Sequence, residues 1–320
     1  MLGLAMAVLA APLAHSAPQA GDAGSDARPA AAHRPGFEAL ADCGAAHLPS
    51  RRSDAPTGSE FTRRTQGLGD AERQAATLEE IRRGNVPHFL RTLRPVWMGA
   101  RGANAPTVRI CVAPDYLAVG SDADFLRVPL SYPTATRIAS EFGFVLPTRK
   151  IVDAIYAQSE YHLTPEPLPP GPQMRSAAYS LLHQRRVEAQ RAGFPLGALI
   201  SGHKKDLVLT NRLLQLPDRV AIYGWHRPDG RPIQPLSTVH GLRYADYSHG
   251  LRLIDGAAWV DGRVRSLAAL LEDPLTAPTL TYEGEMPARR LMESGLVARI
   301  GRLSCSSGSP GGSCGGSPRP

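Results

Sequence analysis

Five prolines fall between residues 162 and 173, in "HLTPEPLPPGPQ". Proline fixes its own φ and has no amide hydrogen, so this stretch can continue neither a helix nor a central strand. It divides the chain by pattern. Before it, the apolar spacing is mostly helical, with one hairpin. After it come one long helical run and then short strand-like runs. Helices followed by a cluster of strands favour α+β over a doubly wound parallel sheet. We expect a single main α+β domain over residues 59–300, with a mainly antiparallel sheet and flanking helices.

Local chemistry suggests the elements. Asp70 can cap a helix through about Arg83, with Gly84 as its stop. Residues 86–93 continue as a short amphipathic segment. Residues 107–119 and 125–130 read as strands joined by the turn-like "GSDAD". Ser131 and Thr148 each precede a helical run, the first ending at Gly143 and the second near Gln158. Residues 174–192 form a helix before Gly193. Residues 206–210, 219–225 and 248–254 read as strands, and 264–272 as a short helix that Asp273 and Pro274 terminate.

The ends differ from this body. Residues 1–16 have the pattern of a signal peptide. An apolar run over 2–13 is too short to span a bilayer, and Ala14 and Ser16 stand where a signal peptidase reads small residues. The expected location is secreted or periplasmic, with no transmembrane helix. Residues 17–58, rich in Ala, Pro, Ser, Gly and Asp, read as a disordered linker. Residues 301–320 read as a disordered low-complexity tail.

Cys43, Cys111, Cys305 and Cys314 lack the spacing of a zinc knuckle or a redox pair. Export permits disulfides; Cys43–Cys111 and Cys305–Cys314 are the natural pairs, though spacing alone leaves others open. The net charge of +7 is spread over scattered arginine pairs. Without a basic block interleaved with aromatics, nucleic-acid binding is not expected. Oligomeric state is not set by the sequence.

Four of the ten histidines (His203, His226, His240 and His249) fall between residues 203 and 249. Asp206, Tyr244, Asp246, Tyr247 and Ser248 share that stretch with Lys204 and Lys205. Strand ends and their loops hold reactive groups rigidly while leaving them accessible. Three chemistries fit. Histidines and a carboxylate could bind zinc with a position open for water; the ligands would come from His203, Asp206, His240 and His249. A histidine oriented by a carboxylate could act as general base for serine or water. Asp246 and His249 could act directly as acid and base. Ser248 beside His249 is not by itself a nucleophile–base pair, because neighbours on a strand point to opposite faces.

The catalytic expectation is His249, Asp246, His203, Tyr244 and Tyr247. Trp225, His226, His240 and Lys205 are expected to bind substrate. A turn or a basic loop would also explain His226 and His203. His88, His162 and His183 are expected at the surface.

The segments "APDYLAVGSDADFLRVPL", "LPTRKIVDAIY", "PLGALISGHKKDLVLT", "AIYGWHRPDGRPIQPL" and "YADYSHGLRLI" resemble a group of uncharacterised secreted bacterial proteins. The resemblance spans about residues 60–283, implies export and carries no activity. A helix followed by histidine-bearing strands is loosely similar to papain-like cell-wall peptidases. Those need a cysteine at the helix start, and residues 174–180 contain none. The functional expectation is a secreted hydrolase acting on a cell-envelope or extracellular polymer through a His/Asp/Tyr site, metal-assisted or not. The alternative is a non-catalytic secreted protein that binds sugar or peptide.

Overall fold

The apolar stretch 107–119 does not form one strand. Val108–Val112 is a strand buried at every position. The chain breaks over residues 113–117, and Ala118–Gly120 then pairs with Phe125–Arg127 across the expected turn. Asp115 and Tyr116 lie in that break, and both are buried. The computed structural model describes residues 43–99 and 107–297. The expected signal peptide, the linker before Cys43 and the tail with Cys305 and Cys314 lie outside the described residues.

The fold is α+β, with two principal sheets and flanking helices. In the first sheet, Val108–Val112 lies between Arg94–Met98 and Ile254–Val260, and Arg263–Ser266 follows at the edge. These pairings are antiparallel, as is that of Phe144–Val145 with the start of Ile254–Val260. The second sheet runs Pro232–Ser237, Ile222–His226, Lys205–Leu207, His249–Gly250. Its first two pairings are antiparallel and its last is parallel. Pro232 and Pro235 occupy the outer strand, where a missing amide costs little ladder bonding.

Residues 248–254 join the two sheets instead of forming one strand. His249–Gly250 closes the second sheet, and Ile254 enters the first. Between them the Leu251 and Leu253 carbonyls accept from the Leu117 and Ala113 amides, at 2.8 and 2.9 Å. Arg252, only 1% exposed, donates to the carbonyls of Ala113 (2.9 Å) and Ile200 (2.8 Å). A charged side chain thus satisfies backbone that no strand partner reaches.

Asp70–Arg82, Tyr132–Glu141 and Arg149–Gln158 begin close to their expected positions, while Gly58–Thr65, Ala277–Leu280 and Ala288–Val297 lie where no helix is expected. Gly58–Thr65 carries a reciprocal Thr57–Glu60 capping box. The Thr148 and Ser176 hydroxyls cap Arg149–Gln158 and Ala177–Arg191. Asp70 is the first residue of Asp70–Arg82, and Gly69 holds the cap position. The long helix starts only at Ala177, after a 3₁₀ turn over Pro172–Arg175. Residues expected to open the helix at 264 instead form Arg263–Ser266, and Ser266 caps Leu267–Glu272.

Residues 43–58, expected to be linker, pack against the body. Cys43 and Cys111 form a disulfide. Arg51 donates to Asn85 Oδ1 at 2.9 Å and to the Gly120 carbonyl at 3.1 Å. A covalent link and guanidinium bonds order this segment without a continuous apolar face. No helix among the described residues is long and apolar enough to cross a membrane.

Candidate functional site

The register of the second sheet separates the residues expected to act together. His249 sits opposite Lys205, and Gly250 opposite Asp206. Lys205 and Asp206 are successive on one strand, so their side chains leave by opposite faces. Several groups result.

The first group is built on the "RYADYSH" loop. Asp246 Oδ1 accepts from the Ser248 amide (2.8 Å) and hydroxyl (2.6 Å). Oδ2 accepts from the Tyr244 hydroxyl at 3.0 Å. His249 Nε2 lies 4.0 Å from the same oxygen, beyond hydrogen-bond reach. His240 stacks on Tyr244 with centroids 4.0 Å apart, and its ring lies 6.2 Å from that of His249. His249 is completely buried, and neither ring nitrogen has a hydrogen-bond partner among the described residues. Such unpaired burial costs about 1–3 kcal/mol per group. His183 is also buried with both ring nitrogens unpaired among the described residues; what sets His249 apart is the carboxylate of Asp246 at 4.0 Å.

Electrostatics set the protonation states. Burial pushes the His249 imidazole well below its ordinary value, against the attraction of Asp246. Burial works to raise Asp246, but His249, the two Ser248 bonds and Lys205 hold its carboxyl below the usual range. Burial and neighbouring Asp246 push the Tyr244 phenol up to about 12. At neutral pH the group is a neutral imidazole beside a fixed carboxylate and a protonated phenol. Ser248 already donates its hydroxyl to Asp246, so it orients the carboxylate.

His203 belongs to a different network. Its Nε2 lies 3.0 Å from Asp115 Oδ1, and Arg127 forks onto the same carboxylate. Arg127 also reaches Glu188 Oε1 at 2.7 Å. Burial would raise Asp115, but Arg127 and His203 hold it well below the usual range. Burial pushes His203 down to about 4, although Asp115 opposes the shift. This arrangement ties the Asp115 break to the helix Ala177–Arg191.

Asp206 points to a third group. Tyr116 donates its hydroxyl to Asp206 Oδ2 at 2.8 Å. Tyr116 packs closely against Gly250, where an added Cβ would fall 2.5 Å from Tyr116 Cδ1. Burial raises the Asp206 carboxyl to about 6, more than Arg252 and Tyr116 lower it. His226 Nε2 pairs with Asp153 Oδ1 at 3.1 Å. Asp153 also accepts from Tyr223 (2.8 Å) and Tyr282 (3.0 Å), and Tyr156 stacks on His226 at 4.6 Å.

Trp225 and Tyr247, expected to bind or act on substrate, pack with Leu168 in a small buried cluster. The Tyr247 hydroxyl accepts from the Leu168 amide at 2.7 Å, so it does not join Asp246. Trp225 has a φ of 57°, a strained value for a bulky residue, and the Lys205 ammonium lies 5.1 Å above its ring. His183, expected at the surface, is fully buried beside Tyr247. Its helix turns that face inward onto the cluster.

The structure thus brings Asp246, His249, Tyr244 and His240 together. His203, Asp206, His226, Trp225 and Tyr247 lie in other settings. Lys205 bridges, acting electrostatically on Asp246, His240 and His249 while covering Trp225. Among the described residues no three His, Cys, Asp or Glu side chains are grouped to hold a metal ion. His203, Asp206, His240 and His249 accordingly do not form one ligand set.

Sequence reasoning missed Asp115, Tyr116, Arg127, Asp153 and Arg252. A signal was present for three of them: Asp115, Arg127 and Arg252 are charges inside otherwise apolar runs. Such residues are almost never buried without partners. No family model, no curated protein and no solved structure matches the chain.

Proposed function

We propose that this protein is a secreted hydrolase that cleaves an extracellular or cell-envelope polymer at the Asp246–His249 pair. The observation that carries the reading is the His249 imidazole. It is buried and neutral, and both its nitrogens are unpaired. It stands 4.0 Å from a carboxylate that Ser248 and Tyr244 hold in place. A neutral imidazole beside a fixed carboxylate is equipped to act as a general base.

In the reaction His249 takes one proton from the attacking water. The water oxygen bonds to the electrophilic carbon, the scissile bond breaks, and the departing group receives the proton back from the imidazolium. Asp246 stabilises the imidazolium and is not itself protonated. Tyr244 keeps its proton at neutral pH and donates it in a hydrogen bond to Asp246 Oδ2, which fixes the carboxylate beside the imidazole. Export is supported by the signal-like residues 1–16 and by the Cys43–Cys111 disulfide, which persists in oxidising compartments.

The test is to incubate the wild type and His249→Ala with purified peptidoglycan sacculi and with insoluble plant and fungal polysaccharides. New reducing ends would identify a glycosidase, and new amino groups a peptidase. Products from the wild type alone support the reading; equal products from both proteins, or none from either, refute it. The half-buried His240–Tyr244 stack favours a second reading, a binding surface for sugar or peptide. In that case the polymers would retain the protein with no product formed.

A further inference from the structure

A groove runs beside the Asp246 group. Its larger part, about 300 Å³, is lined by Arg137, Arg175 and Arg243 together with Ala71, Ala75 and Leu78. It continues into a smaller hollow where Arg73 and Ala245 join Arg175 and Arg243. The loop 243–246 therefore serves both places. Arg243 and Ala245 line the groove, while Tyr244 and Asp246 build the catalytic group. Arg175 also lies over the Tyr244 ring, 5.4 Å from its centroid.

The groove is electrostatically one-sided. Four arginines line it against a single acid, Asp70. Arg73 and Arg175 both pair with the Asp70 carboxylate, which leaves that trio with excess positive charge. Arg137 pairs with Glu141, which stands outside the lining. The N-terminus of Tyr132–Glu141, where Ser131 makes no capping bond, opens onto the same groove and adds partial positive charge. Apolar side chains interspersed with arginines match a sugar ring that has a C–H face and a carboxylate edge. Asp70 holds Arg73 and Arg175 side by side, and the net positive charge of that trio is what remains for a ligand carboxylate.

We propose that the groove binds a carboxylate-bearing segment of a polysaccharide. The proposal rests on the reading that this protein acts on an extracellular polymer, and it names the class of that polymer. Binding is driven by charge and oriented by the apolar side chains among the arginines.

The experiment is isothermal titration with a de-esterified oligogalacturonate and with its fully methyl-esterified counterpart of equal length. The full chain should bind the charged oligomer at least about tenfold more tightly. Affinity should fall between 0.1 and 1 M salt, as the screening length shrinks from about 10 to about 3 Å. Arg175→Ala/Arg243→Ala should lose the preference, and Arg175→Lys/Arg243→Lys should recover part of it. Arg243→Glu, a change at an exposed position, should lose it while its urea-unfolding midpoint shows that the chain remains folded. His249→Ala should bind like the wild type. Equal binding of both oligomers by the wild type would overturn the proposal, as would an undiminished preference in Arg243→Glu. If the groove variants lose binding while His249→Ala still hydrolyses polymer, the assignment of the catalytic pair fails and the groove stands.

Discussion

Asp206→Asn should stabilise the protein at neutral pH and leave its stability unchanged in acid. The Asp206 side chain is 2% exposed, and burial raises its carboxyl from an ordinary 3.8 to about 6. In the unfolded chain it titrates near 3.8. Between the two values the folded state therefore holds the extra proton, and stability from this group falls as pH rises through that window. Above pH 6 both states are ionised and the folded protein carries the full cost. A shift of roughly two units is worth about 3 kcal/mol. Below pH 3.8 both states are protonated and the cost disappears. Asparagine keeps an acceptor for the Tyr116 hydroxyl, so the substitution removes the charge and little else. The assay is urea unfolding of wild type and variant at a series of pH values from about 3.5 to 7.5, with the disulfide intact. Other titrating groups cancel in the difference. The variant should gain about 3 kcal/mol at the neutral end and near zero at the acid end. A difference of the same size at both ends, or one that grows toward acid, would refute the electrostatic account of Asp206.

Other consequences can be measured alongside. For any polymer the wild type cleaves, kcat/KM should hold through neutral pH, with its acid limb displaced below the ordinary imidazole value of 6.5; His249→Gln should cost about 10²–10⁴-fold. A limb at or above 6.5 would remove His249 from the general-base role. Asp115→Asn should destabilise by about 3–5 kcal/mol in denaturant unfolding, because Arg127 stays buried with its main counter-charge gone. Gly250→Ala should lower stability and displace Tyr116, because the new methyl would fall 2.5 Å from its ring; a rise in the Asp206→Asn background but not in wild type would contradict that packing. Ser248→Ala should leave the protein folded and lower kcat more than it changes KM, since the hydroxyl orients Asp246.

Patterns that act over a few residues were legible. The Thr148 cap, the Gly84 and Gly143 helix stops and the turn at 120–124 depend on local conformational preferences, and the structure reproduces them. The "DYSH" segment could be singled out for a similar reason, since Asp246 and Ser248 meet across two residues. Residues 43–58 were misread because composition does not register a disulfide to Cys111 or an arginine reaching Asn85.

What the sequence determined by itself was the α+β class, the starts of Asp70–Arg82, Tyr132–Glu141 and Arg149–Gln158, and the concentration of imidazole and carboxylate after residue 200. Tertiary structure alone decided which of those groups meet. A one-residue step along Lys205–Leu207 reverses the face a side chain uses, and the parallel pairing with His249–Gly250 links strands more than 40 residues apart. Register and long-range pairing therefore put His203 with Asp115 and Asp206 with Tyr116, and set the local Asp246–His249 turn beside Lys205. No local pattern encodes those pairings, because each depends on segments brought together by burial of a common core.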